Sequence, residues 1–550
     1  MFSSVWAVLA SIACLGVAAP TPSKRPNIVF IITDDQDLHL SSLDYMPITM
    51  KQVRDAGTTF KKHYCTIALC CPSRVSLLTG KAAHNTNVTD VSPPFGGYPK
   101  FIQQGHNKNY LPVWLQAGGY DTYYTGKLMN AHSIMTWNNP YPAGWNHTNY
   151  LVDPGTYVYN NACWQADTTP PIFRPGQYST DVIASTAEKW IEEATLKTDR
   201  PFFMGIAPIA PHTETDFFSP GVFAFVPPVP AKRHEGLFPN ATIPRGPSFN
   251  PSKPQGVSWV GKLAQANDTV IKANDEFYRK RLQALQSVDE LVGAVIDKLD
   301  EQGILNDTYI IYTTDNGFHM GQHRLPPGKT CAFEEDVNIP FLIRGPGIPI
   351  NHTVNFATSH TDLAPTILQL AGIPLRDDFD GTPMPLSLVA MKNATDSPMH
   401  DHVTIEFWGD SGGERLFQMG GPLGTPTRYH KNTYKAMRIV SKDYDLLYTV
   451  WCTNEHELYN MKVNGQSLKA LLPRLDAVLM VLKSCKGEQC LKPWKTLHPD
   501  GSVYTLSQAL APEYDEFYAT QPKVAFTACE IGYIVRSEGP QKILPFHIGD

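Results

Sequence analysis

The strongest chemical pattern in the chain is residues 70–81, which read CCPSRVSLLTGK. Pro72, after a cysteine and before helix-forming residues, places Cys70 at a helix N-terminus, where unpaired backbone N–H groups and the helix dipole attract an anion. Arg74 adds a guanidinium fork that suits a tetrahedral oxyanion. A disulfide or a buried thiol is the alternative interpretation of Cys70 alone. The segment as a whole predicts an anion site at the start of a helix.

Polar side chains also follow four predicted strands at the point where each strand ends. The strands and their polar residues are 27–32 with Asp34 and Asp35, 120–125 with Lys127, 201–206 with His212, and 309–312 with Asp315 and Asn316. In open parallel sheets, ligands bind beyond the carboxyl ends of the strands. The four strand ends therefore predict one polar site.

Alternating strands and helices must position these residues. The run 27–32 (NIVFII) is continuously apolar, as in a strand that is buried on both faces. Residues 278–302 show the spacing of an amphipathic helix that ends at Gly303. This alternation predicts an α/β fold, with a large, mostly parallel and doubly wound sheet flanked by helices.

The pattern changes beyond about residue 400. Short strands are predicted at 434–440, 444–451 and 457–461, as in an antiparallel meander, with a helix at 472–482. We therefore expect three parts: a signal peptide at 1–19, a catalytic domain at 20–400, and a smaller C-terminal α+β subdomain with an antiparallel sheet and a tail at 401–550.

The composition argues against several classes of protein. The 550 residues include 46 Lys and Arg against 52 Asp and Glu, so no basic surface for nucleic acid is expected. Hydrophobic residues make up 42% of the chain, enough for a large core and too many for an intrinsically disordered protein. No apolar run is long enough to span a membrane, so no integral membrane segment is expected.

The N-terminus and the glycosylation sequons indicate the secretory pathway. Residues 1–19 form an apolar stretch that ends in small residues, as a signal peptide does. Seven N-x-S/T sequons follow, at Asn87, Asn146, Asn240, Asn267, Asn306, Asn351 and Asn393. We expect a secreted, extracellular glycoprotein, with a lysosome or vacuole as the alternative destination. Nine cysteines remain without Cys14, so disulfides are expected and one thiol has another role.

Residues 70–74 (CCPSR) and 78–81 (LTGK) resemble the signature of the type I sulfatases, within the alkaline-phosphatase-like superfamily. In that family a formylglycine-generating enzyme oxidises the first cysteine of the motif to formylglycine (3-oxoalanine), which implies Cys70 here. The resemblance extends over the mature chain to about residue 400. Eight thiols then remain, enough for up to four disulfides.

The resemblance also implies a metal site. Asp34 and Asp35 match the first metal-binding pair of the family, and Asp315 with Asn316 matches the second. Residue 70 completes the ligand set. Carboxylate and amide oxygens suit Ca²⁺, with Mg²⁺ as the alternative, better than zinc.

The remaining site residues are assigned by the same resemblance. Lys127 and Lys329 match the two sulfate-binding lysines, and His212 matches the histidine near the leaving group. Many arylsulfatases have a histidine two residues after the first lysine, but this chain has Met129. The run from residue 315 to 322 looks closer to the N-acetylglucosamine-6-sulfatase branch, and its His319 is predicted to contact substrate and to share the proton-handling role.

The family resemblance implies the hydrolysis of sulfate esters, with aryl sulfates as the expected substrates. Hydrated formylglycine attacks sulfur, Lys127, Lys329 and Arg74 with the cation neutralise the sulfate oxygens, and a histidine protonates the departing oxygen. Three alternatives stay open: an N-acetylglucosamine-6-sulfatase that acts on sulfated glycans, a phosphonate or phosphate monoester hydrolase, and an inactive relative that binds sulfated glycans. The oligomeric state is not predicted.

Overall fold

The computed structural model describes residues 25–196, 200–216, 224–396, 401–414, 428–462 and 468–546, and the predicted signal peptide lies outside them. The strands are β1 Asn27–Thr33, β2 Thr58–Phe60, β3 His63–Tyr64, β4 Asp121–Lys127, β5 His147–Leu151, β6 Cys163–Ala166, β7 Ile172–Phe173, β8 Phe202–Ala207, β9 Glu214–Asp216, β10 Ala224–Val226, β11 Thr308–Thr314, β12 Phe341–Arg344, β13 His352–Val354, β14 Thr358–Ser359, β15 His402–Phe407, β16 Ser411–Gly412, β17 Arg428–Tyr429, β18 Tyr434–Val440, β19 Asp445–Trp451 and β20 His456–Asn460.

The α-helices range from single turns to one helix of 34 residues. They are α1 Pro47–Thr49, α2 Cys70–Thr79, α3 Ala83–Thr86, α4 Gly97–Gln103, α5 Leu111–Ala117, α6 Ser179–Thr195, α7 Ser258–Gly261, α8 Asp268–Glu301, α9 Glu334–Val337, α10 Leu363–Leu370, α11 Leu388–Asp396, α12 Leu468–Leu482, α13 Glu488–Leu491, α14 Pro493–Leu497, α15 Leu506–Ala509 and α16 Asp515–Thr520. Within the described ranges, no helix has the length and apolar character needed to cross a membrane.

Ten of the described strands form one large sheet, in the order β13-β2-β12-β11-β1-β8-β4-β5-β6-β7. The five neighbouring strands from β11 to β5 are parallel. Antiparallel pairs flank them on both sides. The predicted α/β class with a large, mostly parallel sheet is confirmed.

Strand β1 is buried on both faces of the sheet. Ile28, Phe30 and Ile32 belong to one hydrophobic core with residues of α2, α5 and α10. Val29 and Ile31 belong to a second core with residues of α6 and α8. Because successive side chains of a strand point to opposite faces, a strand between two helical layers must be apolar at every position. The interpretation of residues 27–32 is therefore confirmed.

The strand register brings the polar residues to one edge of the sheet. Thr33 of β1 pairs with Thr314 of β11. Ile31 of β1 and Thr125 of β4 both pair with Ile206 of β8. The four parallel strands therefore end at the same level, and the residues after them emerge side by side.

Helix α8 is longer than the sequence predicts. It begins at Asp268, ten residues before the predicted start at 278. The side chain of Asn267 caps it by accepting a hydrogen bond from the backbone N–H of Val270 at 3.0 Å. Residues 268–273 are exposed or half-buried, so the apolar periodicity on which the prediction rested is absent from the first turns.

A smaller antiparallel sheet lies near the C-terminus, with the order β15-β18-β19-β20. Tyr448 on one face belongs to a hydrophobic core that includes Leu475 of α12, and Trp451 on the other belongs to a core that includes Phe333 of the larger part. The predicted C-terminal antiparallel sheet is confirmed. Strand β15 was not predicted, and α12 begins at Leu468, four residues earlier than expected.

Two disulfides form in the C-terminal part of the chain, Cys452–Cys529 and Cys485–Cys490. The five remaining described cysteines are buried free thiols: Cys65, Cys70, Cys71, Cys163 and Cys331. The cysteine count allows up to four disulfides, and two are present.

Candidate active site

The cysteine motif builds the first turns of α2. Cys70 is the first helical residue. Ser73, one turn later, donates its hydroxyl to the backbone carbonyl of Asp315 at 2.6 Å, which ties the helix to the end of β11. The helix ends at Gly80, where φ is 67° and a Cβ atom would lie 2.5 Å from the ring of Phe379. The motif residues therefore fix where α2 begins, where it ends and which strand it contacts.

The thiol of Cys70 lies at the carboxyl edge of the large sheet. Its Sγ atom is 3.5 Å from Oδ1 of Asp34 and 3.3 Å from Nζ of Lys329. Burial raises the pKa of Cys70 well above the usual thiol range, against the opposing effect of nearby Lys127 and Lys329. The thiol is therefore neutral at ordinary pH, and a neutral thiol is a weak nucleophile.

Three buried ion pairs surround this position. Nζ of Lys127 is 2.5 Å from Oδ2 of Asp34, and Nζ of Lys329 is 2.6 Å from Oδ1 of Asp35. Nε of Arg74 donates to Oδ2 of Asp315 at 2.8 Å. The ion pairs thus bring together residues from three of the four predicted strand ends: Asp34 and Asp35, Lys127, and Asp315. Arg74 is contributed by α2.

The carboxylates of Asp34 and Asp35 are held in their ionised forms. Burial acts to raise the pKa of Asp34, but the ammonium of Lys127 and other nearby cations outweigh it, so the pKa is lowered. The pKa of Asp35 is lowered in the same way, with Lys329 as the main opposing charge. Burial acts to lower the pKa of Lys127, and Asp34 raises it. Each partner therefore keeps the other charged in a site that excludes water.

The donor set fits a hard divalent cation. Asp34, Asp35, Cys70 and His212 each offer one ligand atom within 4.8 Å of the others. Asn316 donates its Nδ2 to Oδ1 of Asp35 at 2.7 Å, while its Oδ1 is buried and has no hydrogen-bond partner among the described residues. A buried amide oxygen beside ionised carboxylates is the ligand chemistry of Ca²⁺ and Mg²⁺ rather than of zinc.

His212 lies beside the same cluster. Its Nδ1 donates to the backbone carbonyl of Thr213 at 2.7 Å, which leaves Nε2 directed at Oδ2 of Asp35, 3.5 Å away. The ring of Tyr157 stacks on the imidazole with centroids 4.2 Å apart, and Nζ of Lys127 lies 4.7 Å from the centre of the same tyrosine ring. Tyr157 therefore holds the orientation of the histidine and of the lysine together.

Arg74 is packed inside the cluster rather than directed at the solvent. Besides its bond to Asp315, its Nη1 donates to the backbone carbonyl of Lys127 at 2.6 Å. Its side chain is 1% exposed, and it does not line the cavity next to Cys70. Arg74 thus connects the ends of β4 and β11.

His319 and Met129 lie away from this cavity. Nδ1 of His319 is 2.7 Å from Oδ1 of Asp336, and His319 is not among the described residues that line the cavity. Met129 is 1% exposed and belongs to the hydrophobic core under α2. The position two residues after Lys127 is therefore a packing position in this chain.

A cavity of about 300 Å³ opens at Cys70. Besides the predicted Cys70, His212 and Lys329, its walls include Asn130, Asp153, Tyr157, Phe225 and Glu414. Glu414 places Oε1 3.2 Å from Nζ of Lys329. Sequence reasoning missed Tyr157 and Glu414, since neither belongs to a motif and both reach the site through loops.

Comparison with known proteins identifies the family. A family model described as Sulfatase matches residues 26–373. An arylsulfatase of Volvox carteri is 41% identical over 558 residues, covering 95% of this chain and 85% of the relative. The N-acetylglucosamine-6-sulfatase of Homo sapiens is 31% identical, covering 87% of this chain and 88% of the relative.

The fold also has solved counterparts. The structure of BT4656 in complex with its substrate D-glucosamine-2-N,6-O-disulfate superposes with a TM-score of 0.59. It is 23% identical, and the match covers 80% of this chain and 91% of that chain. At this identity the likeness establishes a shared fold. The family model and the two relatives go further: the chain belongs to the sulfatase family, and it is a sulfuric ester hydrolase.

Proposed function

We propose that this sulfatase hydrolyses aryl sulfates, so that phenol sulfate and water give phenol and sulfate. The observation that supports the proposal most is the position of Cys70, at an open cavity and within 3.5 Å of both an ammonium and a carboxylate. A tetrahedral anion is stabilised by fixed cations at such a position. The similarity to the arylsulfatase of Volvox carteri supports an aryl ester.

The nucleophile is residue 70, and the neutral thiol is poorly suited to that role. Sulfatases use a formylglycine, whose hydrate supplies a hydroxyl as nucleophile; we propose that a formylglycine-generating enzyme makes it from Cys70. The first turn of α2 directs this side chain at Lys329 and Asp34. The helix N-terminus adds backbone N–H groups that favour negative charge there.

Five side chains are proposed to hold a divalent cation, Ca²⁺ or alternatively Mg²⁺: Asp34, Asp35, Asp315, Asn316 and residue 70. Such an ion supplies Lewis-acid polarisation of sulfate oxygens. Arg74 acts as a positioning residue, because its guanidinium bonds both Asp315 and the backbone of Lys127.

Lys127, Lys329 and His212 act on the ester itself. The two ammoniums bind the sulfate oxygens and neutralise the charge that develops on them. His212 acts as general acid in its imidazolium form: its Nδ1–H donates to a backbone carbonyl, so the proton available for transfer is the second one, on Nε2. That proton passes to the departing phenol oxygen, and Tyr157 keeps the imidazole in the required plane.

Rates on matched esters test this proposal. Secreted protein should hydrolyse 4-nitrophenyl sulfate with a higher kcat/KM than 4-nitrophenyl phosphate, and the variant Cys70→Ser should hydrolyse neither at a catalytic rate. Faster phosphate hydrolysis would assign the site to phosphate or phosphonate monoesters. Binding of sulfated glycans with no hydrolysis of any ester would identify an inactive relative.

A sugar 6-sulfate is the second candidate substrate. It is favoured by the 31% identity to the human N-acetylglucosamine-6-sulfatase over 87% of this chain. N-Acetylglucosamine 6-sulfate and 4-nitrophenyl sulfate should therefore be compared at equal enzyme concentration. A larger kcat/KM for the sugar ester would replace the aryl substrate in the proposal.

The surface supports a path through the secretory pathway. Six of the seven sequon asparagines are exposed, at positions 146, 240, 267, 306, 351 and 393, whereas Asn87 is half-buried. Two disulfides fit an oxidising compartment. We propose a secreted glycoprotein, and glycosidase treatment that shifts its electrophoretic mobility would test this.

A further inference from the structure

The cavity at Cys70 adjoins a second one, which has a volume of about 490 Å³. The two share the wall residues Leu69, Val91, Ser92, Phe225, Lys329 and Glu414. An ester whose sulfate lies at Cys70 can therefore extend its alcohol portion past Glu414.

Four acidic residues line this path. Among the described wall residues of the two cavities, the acidic ones are Asp90, Asp153, Asp410 and Glu414, and the basic ones are Lys329, Arg428 and His212. Lys329 is already engaged by Asp35 at 2.6 Å and by Glu414 at 3.2 Å. The walls therefore offer an added anion little net attraction.

Of these four acids, Glu414 and Asp410 are the two that are placed to act on a bound ester. Burial raises the pKa of Asp90 and of Asp153, which favours their neutral forms. The side chains of Glu414 and Asp410 are 13% and 16% exposed, so both remain in contact with solvent. Asp410 faces the exposed His430 at 2.9 Å. Selection by charge therefore rests on Glu414 and Asp410.

Glu414 lines both cavities and lies beside the position of the nucleophile. The ammonium of Lys329 lies between Oε1 of Glu414 and the nucleophile. Its Nζ is 3.2 Å from Oε1 and 3.3 Å from Sγ of Cys70. Oε2 of Glu414 is 3.4 Å from the hydroxyl of Thr213, the residue after His212. The carboxylate thus flanks the path between the sulfate position and the histidine.

We propose that Glu414, assisted by Asp410, makes this enzyme selective for sulfate esters whose alcohol portion bears no second negative charge. The substrate class is then a monosulfated phenol or sugar that is otherwise neutral or cationic, rather than a polyanionic sulfated chain. This inference rests on the proposed sulfatase activity. Like charges a few ångströms apart at a partly wet site repel enough to change a rate constant roughly tenfold.

Three esters of the same shape measure the selectivity: 4-carbamoylphenyl, 4-carboxyphenyl and 4-(aminomethyl)phenyl sulfate. The quantity compared is the kcat/KM of each charged ester divided by that of the carbamoyl ester. In the Glu414→Gln variant the carboxylate ratio should rise roughly tenfold over the parent protein, and the aminomethyl ratio should fall. Asp410→Asn should shift both ratios in the same directions by less.

The controls separate charge from damage. Glu414→Asp keeps the charge and should retain the parent ratios. Glu513→Gln removes the same charge from an exposed residue of the C-terminal part and should change nothing. A general loss of activity lowers the rates for all three esters and leaves the ratios unaltered. Added salt should weaken the discrimination by the parent protein, because it screens charges at exposed sites.

Unchanged ratios in both Glu414→Gln and Asp410→Asn would overturn the inference. If Glu414→Gln has no measurable activity, Asp410→Asn alone decides, because Asp410 does not contact Lys329. Failure of the parent protein to hydrolyse any sulfate ester would instead refute the proposed function. The two failures are therefore distinguishable.

Discussion

Replacing Lys127 with methionine perturbs the charged cluster at one defined atom. Nζ of Lys127 is fully buried and lies 2.5 Å from Oδ2 of Asp34. Methionine keeps the apolar stem and removes the ammonium. Asp34 then has Nη2 of Arg74, at 3.8 Å, as its nearest arginine or lysine partner among the described residues.

Two separate losses are expected from this change. Removing one partner of a buried ion pair destabilises a protein by about 3–5 kcal/mol. Removing a group that stabilises developing negative charge raises the barrier by about 2.7–4 kcal/mol, which lowers kcat by roughly 100- to 1000-fold. We therefore expect Lys127→Met to lower the kcat/KM for 4-nitrophenyl sulfate by roughly 100- to 1000-fold per folded molecule.

Lys435 provides the matched control. It is a fully buried lysine on β18, 2.7 Å from Oε2 of Glu406, and this ion pair is not part of the cluster around Cys70. Lys435→Met should lose comparable stability in urea denaturation and keep the kcat/KM of its folded fraction. If both variants lose kcat/KM equally, or if Lys127→Met keeps it, the placement of Lys127 at the sulfate is refuted.

Further predictions concern other parts of the molecule. Cys70→Ala should have no measurable sulfatase turnover and a nearly unchanged Tm; normal turnover would exclude residue 70 as the nucleophile. Asn316→Ala should weaken Ca²⁺ binding, measured by titration calorimetry, by about tenfold or more, and equal affinity would remove Asn316 from the ligand set. Burial acts to raise the pKa of Glu406, but His84 and Lys435 lower it to about 2. The ionised carboxylate of Glu406 contributes about 3 kcal/mol to the free energy of unfolding above pH 4.5, and this contribution is lost as pH falls toward 2. In chemical denaturation, the free energy of unfolding of Glu406→Gln should therefore fall less steeply with acid than that of the parent protein.

Much of the fold could be predicted from local patterns. Strand β1 has a continuous apolar run because two helical layers cover it, and that pattern is visible in the sequence. The start of α8 was missed because its first turns are largely exposed and are fixed by the cap at Asn267. Strand β15 was missed because its pairing with β18, 27 to 37 residues away, decides its conformation.

The residues of the site also divide into those that local sequence patterns predict and those that they do not. Residues that follow strands or belong to the cysteine motif could be predicted, because strand ends converge by geometry. Tyr157 and Glu414 could not, since only the folded chain brings them to His212 and Lys329. The contacts of Arg74 could not be predicted either: its Nε bonds Asp315 and its Nη1 bonds the backbone of Lys127, inside the buried cluster.

The central claim is that residue 70 acts as a formylglycine, and mass spectrometry of the tryptic peptide 63–74 (HYCTIALCCPSR) tests it most directly. The peptide from secreted, active protein should contain, at position 70, a residue that has lost H₂S and gained oxygen, and it should react with a hydrazide. An intact thiol or a disulfide at Cys70 in protein that hydrolyses sulfate esters would contradict the account.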